Sequence, residues 1–295
     1  MIVVTAATGH IGQHLVQELL SKKKKVRAVA RDAQKLKKLA DRGAETVTAD
    51  LADPAAVARA LQGASAVFAL IPPSYGEPDF RGYQNKISVV LADAVKNAGV
   101  KHVVNLSSLG AHLPDKTGPI KGLYDHERRL NQLDGVHVLH LRPTYFMENF
   151  YFGLGLIKGQ GIHGSPLLPD VPFPMIATRD IASVAAHRLA ALDFMGKSVQ
   201  ELLGPREVTM AEATRTIGAA IGKPGLPYVQ FPYADARAAM IGLGMSADVA
   251  DQFNEMYKAF NEGLVRPTQA RGAQTTTPTS IEAFAREFAV AYSQS

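Results

Sequence analysis

The stretch VVTAATGHIGQHL, residues 3 to 15, sets Ala6, Gly9 and Gly12 at three-residue intervals. Glycines at this spacing act through the backbone, because a chain without Cβ can approach a phosphate closely. Gly9 suits that role, and Gly12 suits close packing of a helix on the strand before it. The helix start then turns its N–H groups and positive dipole end toward a pyrophosphate. Ala6 occupies the slot of a further glycine, which predicts that this position has no need of a positive φ.

What names the ligand is expected about twenty residues on. There VRAVA (26–30) runs into Arg31 and Asp32. A guanidinium grips a 2′-phosphate in bidentate fashion, whereas a carboxylate repels it. Lys35, one helical turn further, adds a second positive charge. Asp32 is better suited to cap the next helix than to accept ribose hydroxyls. NADP is therefore expected over NAD.

These groups need a strand–turn–helix frame, and the sequence repeats one. Apolar, β-rich runs at 2–4, 26–30, 45–49, 66–71, 102–107 and 136–141 alternate with helical patterns. The first helix puts Ile11, Leu15, Val16, Leu19 and Leu20 on one face. Asp53 and Pro54 open the third, a long helix spans 83–98, and another covers 124–133. Strict alternation predicts an α/β fold, a doubly wound parallel (Rossmann) sheet over residues 1–150. Residues 151–295 are expected to form a smaller, mostly helical substrate-binding part, with some segments returning to the first. Within it, 177–192 and most of 206–263 have helical patterns, with Thr209 and Glu212 as a capping pair. The Gly-, Pro- and aromatic-rich stretch 143–175 is poor material for regular elements and suits a loop lining a pocket.

Composition excludes several classes of function. With 46% hydrophobic and 20% charged residues, the 295-residue chain has the make-up of a soluble globular protein. It has no cysteine, so disulfides, thiolate catalysis and cysteine-bound metals are ruled out. The net charge of +5 comes from one segment: residues 21–42 hold ten Lys or Arg against two acids, leaving −3 elsewhere. The lysine run 22–25 sits at a helix end, where cations complement the dipole. Neither a nucleic-acid partner nor a membrane is expected, and no apolar run or leader pattern points away from the cytoplasm. His10 and His14 have helical spacing but lack a third ligand, so no metal site is expected.

Taken together, TAATGHIG, VRAVARD, Asp50-Leu51 and LRPTYFMENF (141–150) resemble the NmrA-like family, atypical members of the short-chain dehydrogenase/reductase superfamily. ATRDIASVAAHRLA, LLGPREVTMAEA and FNEGL (260–264) extend the resemblance over nearly the whole chain. It implies a Rossmann domain and a smaller helical part with a cleft between them. It further implies that Thr8, Gly9, His10, Ile11 and Gly12 cradle the pyrophosphate and that Arg31 reads the 2′-phosphate. Asp50 and Leu51 would flank the adenine, and Leu70, Ile71 and Pro72 the nicotinamide ribose.

For catalysis, the superfamily's Y-x-x-x-K is replaced by Y-D-H-E-R, with Tyr124 four residues before Arg128. Arg128 can favour a phenolate but cannot shuttle a proton. Tyr124 is an acid, a ribose contact or a pocket wall. Ser107 and Ser108 end the fifth strand, where such sheets bind ligands. Tyr145, Phe146, Phe150, Tyr151 and Phe152 form either a wall for a flat apolar substrate or ordinary core. The expected function is an NADPH-dependent oxidoreductase passing a hydride to a small quinone-like or carbonyl acceptor. The alternative is a non-catalytic NADP(H)-binding redox sensor acting through a protein partner; a sugar-nucleotide epimerase is disfavoured by the missing lysine.

Overall fold

A computed structural model describes all 295 residues. Its first half alternates as the pattern requires: β1 (Ile2–Val4), α1 (His10–Ser21), β2 (Val26–Ala30), α2 (Ala33–Ala40), β3 (Glu45–Thr48) and α3 (Pro54–Leu61). There follow β4 (Ala66–Ala69), α4 (Phe80–Asn97), β5 (His102–Leu106), α5 (Ile120–Asn131) and β6 (His137–Pro143). Apart from the edge strand β3, these strands are almost wholly buried on both faces, so helices cover both sides. Ile2 and Val4 point into a core shared with α1 and α2, whereas Val3 points into one shared with α3 and α4. Asp32 and Asp53 cap α2 and α3, each accepting from two backbone N–H groups.

The second half departs from expectation. Residues 143–175 form β7 (Tyr145–Phe146), a 3-10 helix (Met147–Gly153), α6 (Leu154–Gln160), β8 (His163–Ser165) and most of β9 (Phe173–Ile176) rather than an irregular loop. Their partners lie far off in sequence: β7 pairs with β9, which pairs with β11 (Glu207–Val208), and β8 pairs with β12 (Tyr228–Gln230). Local periodicity carries no trace of such short, long-range ladders. Between them run α7 (Thr178–Ala191), β10 (Lys197–Leu202) and α8 (Met210–Ala220), and α9 (Tyr233–Gly242), α10 (Ala247–Asn261) and α11 (Ile281–Gln294) complete the chain.

The central sheet has seven parallel strands in the order β10-β6-β5-β4-β1-β2-β3. Its seventh strand, KSVQEL, lacks an apolar run because polar partners satisfy it. Buried Glu201 accepts hydrogen bonds from Thr268 N, Thr268 Oγ1 and Gln269 N at 2.7–2.9 Å. α7 also returns to the sheet, packing Ile181, Ala185 and Leu189 into the core of α1. The rest of the C-terminal part has a separate core, in which Phe150, Phe173, Ile217, Phe284 and Phe288 meet. No helix is long and apolar enough to cross a membrane.

Candidate active site

The turn after β1 is held by backbone bonds from Thr5 N to Phe68 O, Ala7 N to Val29 O and Gly9 N to Ala6 O. It does require a left-handed residue. Ala6 has φ +49°, contrary to the expectation that an alanine marks a relaxed position. Gly12 is needed for space: a Cβ there would lie 2.5 Å from Ala6 O and 2.7 Å from Ala7 Cα. Gly9 has no such clash, its Cβ position being 3.5 Å from the nearest atom. It stands at the α1 N-terminus, which no side chain caps.

This turn forms the middle of a cavity of about 560 Å³ at the carboxyl edge of the sheet. Thr8, Gly9, His10, Ile11 and Gly12 all line it. On the β2–β3 flank it is bounded by Arg31, Lys35, Asp50 and Leu51. Arg31 is exposed and has no ion-pair partner, while its neighbour Asp32 is occupied as the α2 cap. A polar side pocket of about 360 Å³, shared by Arg31, Asp50, Tyr83 and Lys86, opens beside it. An unpaired guanidinium, an adjacent lysine and an uncapped helix start fit the phosphates of NADPH.

On the opposite flank stand Leu70, Pro72, Pro73, Tyr75, Phe146, Glu148, Asn149, Tyr151, Phe152 and Thr178. Ile71, between Leu70 and Pro72, turns away into the core, as alternation in an extended segment demands. Tyr83 braces this segment with a 3.0 Å bond to Pro72 O, and the α10 start grips it through Ser246 N to Tyr75 O. Of the five aromatics singled out, Phe146, Tyr151 and Phe152 form wall, and Tyr145 and Phe150 are core. His10 stacks with Tyr151 at 6.5 Å. Burial pushes the phenols of Tyr75, Tyr83 and Tyr151 up, away from proton donation near neutrality.

Three sequence candidates, Tyr124, Ser107 and Ser108, are not among the residues lining this cavity. Tyr124 is half-buried on α5 beneath the Arg128 guanidinium, 5.6 Å from its ring, and is not among the lining residues. Ser107 is buried and gives its hydroxyl proton to Glu127 Oε1 at 2.5 Å. Glu127 is in turn held by Arg142 through two bonds of 2.9 and 2.5 Å. Ser108 bonds to Leu109 O. The sequence reading passed over Glu148 and Thr178, which meet at the start of α7. Glu148 accepts from Thr178 N at 2.9 Å and from its Oγ1 at 2.5 Å. Ala177 in the cap position has no side chain to do this, and the carboxylate comes from thirty residues upstream. A missing local cap at the ATRDIA helix was the one available signal.

The family model of the NmrA-like family matches residues 1–285. This chain belongs to the NmrA-like family. Within it, the chain is 32% identical to the NAD(P)H azoreductase of Xenophilus azovorans over 289 residues, 98% of this chain and 96% of that one. It is 27% identical to quinone oxidoreductase 2 of Escherichia coli, with 85% of each covered. The triphenylmethane reductase of Citrobacter sp. complexed with NADP(H) superposes with a TM-score of 0.80 at 20% identity, over 98% of this chain and 100% of that one. The family match runs through the Rossmann half and into the C-terminal part as far as residue 285.

Proposed function

We propose that this NmrA-like protein is an NADPH-dependent oxidoreductase that reduces small, flat, quinone-like or azo acceptors. One observation carries the proposal. A single cavity has an uncapped helix start at its middle, an unpaired Arg31 on one flank and an apolar aromatic wall on the other. NAD(P)H azoreductase and quinone oxidoreductase activities among the relatives support the same reaction class. The same proposal takes residues 1–150, with α7 and β10, as the cofactor half and the rest as the acceptor half. It places the protein in the cytoplasm with a small molecule as partner.

The residues divide the work as follows. Thr8 to Gly12 hold the pyrophosphate, Arg31 and Lys35 the 2′-phosphate, and Asp50 with Leu51 the adenine. Leu70 and Pro72 flank the nicotinamide ribose, while Phe146, Tyr151 and Phe152 orient the acceptor and exclude water around it. NADPH bound there supplies a hydride. The accompanying proton comes from solvent at the open mouth beside exposed Phe152, because no phenol in the wall is tuned to donate it.

The decisive experiment follows NADPH and NADH oxidation against naphthoquinone, azo and enone acceptors, with binding of both redox forms measured alongside. Arg31→Ala should weaken NADPH binding about tenfold or more and leave NADH nearly unchanged, the value of a charge-assisted phosphate contact. Equal loss for both cofactors would remove Arg31 from the 2′-phosphate. Tight NADPH binding without turnover on any acceptor would favour the sensor. Tyr124→Phe should lower turnover less than about threefold; a loss of about a hundredfold or more would make the phenol the general acid after all.

A further inference from the structure

On the acceptor flank of the cavity, Glu148 is the carboxylate, and it is fixed. Thr178 N donates to both its oxygens, at 2.9 and 3.0 Å, and Thr178 Oγ1 adds a bond of 2.5 Å. These bonds pin it to the N-terminus of α7 while it still lines the cavity between Phe146 and Tyr151. The cations of the site lie elsewhere. Arg31 and Lys35 follow β2, four sheet positions from β6, after which Glu148 comes. Arg179, next to Thr178, is committed to Thr279 Oγ1 and to Glu287, and Arg142 to Glu127. The α7 dipole end offsets about half a charge, so negative potential remains beside the aromatic wall. Both charges register on Tyr151, whose phenol is raised first by burial and then by Glu148, with Arg179 opposing more weakly.

We propose that Glu148 sorts acceptors by charge, so that the cavity takes flat aromatic acceptors bearing a positive charge in preference to anionic ones. The inference rests on the acceptor site proposed above. It goes beyond that proposal by naming a charge class and the residue that selects it. A cation against the Phe146 and Tyr151 rings gains from their faces as well as from the carboxylate. An anion placed there is repelled by a group that cannot swing away, because three hydrogen bonds hold it.

The test uses the full chain and three naphthoquinones: unsubstituted, trimethylammonium-substituted and sulfonated. Wild-type protein should prefer the cationic over the anionic quinone about tenfold in kcat/KM, the scale of one partly screened charge pair. Because intrinsic reactivities differ between quinones, the change in that ratio on mutation is the deciding number. Glu148→Gln keeps an oxygen for Thr178 and removes the charge, so the ratio should fall about tenfold toward that of the uncharged site. Glu148→Asp should retain the preference. Raising the salt from about 0.02 to 0.5 M should shrink it in wild-type protein, whatever the variants' stability. A ratio unmoved by both Glu148→Gln and salt, or a wild-type preference for the sulfonate, would overturn the proposal. Failure of the neutral quinone to turn over defeats the reductase reading alone. In that case the same ratio is measured as equilibrium binding to the NADP-loaded protein.

Discussion

Ala6 and Gly12 show how differently two positions of one turn use their size. Ala6 stands at φ +49°, where an L-residue is strained and glycine is not. Ala6→Gly should therefore leave the turn intact and change stability by no more than about 1 kcal/mol, with relief of strain opposed by the entropy of glycine in the unfolded chain. Gly12→Ala should cost about 2 kcal/mol or more, since its methyl meets backbone atoms that have no room to move. It should also abolish cofactor binding, because the helix start shifts. Thermal melts with and without NADPH check both. Equal, small effects would mean that the turn tolerates a Cβ at position 12. Residue types alone predicted the Gly12 role correctly and misjudged Ala6, since nothing in an alanine announces the φ it will be made to adopt.

At the level of elements, caps decide which acids are available for chemistry. Asp32 lies one residue after Arg31, the proposed 2′-phosphate contact, yet its carboxylate accepts from Gln34 N and Lys35 N at 2.9 and 3.1 Å. Asp32→Ala should lower stability by about 1 kcal/mol and leave the preference for NADPH over NADH in place. Urea denaturation and cofactor titration of the variant separate the two effects; a switch in cofactor preference would place Asp32 in the site. The Asp32 cap was legible because it is local, two and three residues from its donors. The α7 cap was not, because Glu148 reaches Thr178 only after β7 and β9 pair. Likewise β10 carries Lys197, Gln200 and Glu201; its ladder is with β6, and Thr268 and Gln269 satisfy the buried Glu201 carboxylate.

Across the whole molecule, buried imidazoles tie stability to pH. Burial holds His126 down to about 3, and His140 and His163 down to about 4. The unfolded chain protonates its histidines near pH 6.5, so between there and about 4 it binds more protons than the native state. Stability is thus full above pH 6.5 and falls as the pH drops, by about 1.4 kcal/mol per unit for each histidine. Denaturation at pH 7.5 and 5.5 should differ by about 4 kcal/mol in all, and a His163→Asn variant should show a shallower slope. A pH-independent midpoint over that range would mean that these rings are hydrated.

The parallel sheet, the glycine-spaced turn, the position of Arg31 at the end of β2 and the caps of α2 and α3 are all legible in the chain itself. Each of these is written in neighbours a few residues apart, through period, glycine spacing or the reach of a short side chain. Long-range packing alone makes Ala6 left-handed, leaves Tyr124 and Ser107 out of the cavity lining and brings Glu148 into it. Those outcomes depend on which distant strands pair and which side chains satisfy one another across the core. Local pattern holds no information about such contacts, because their free energy exists only once the chain has closed on itself.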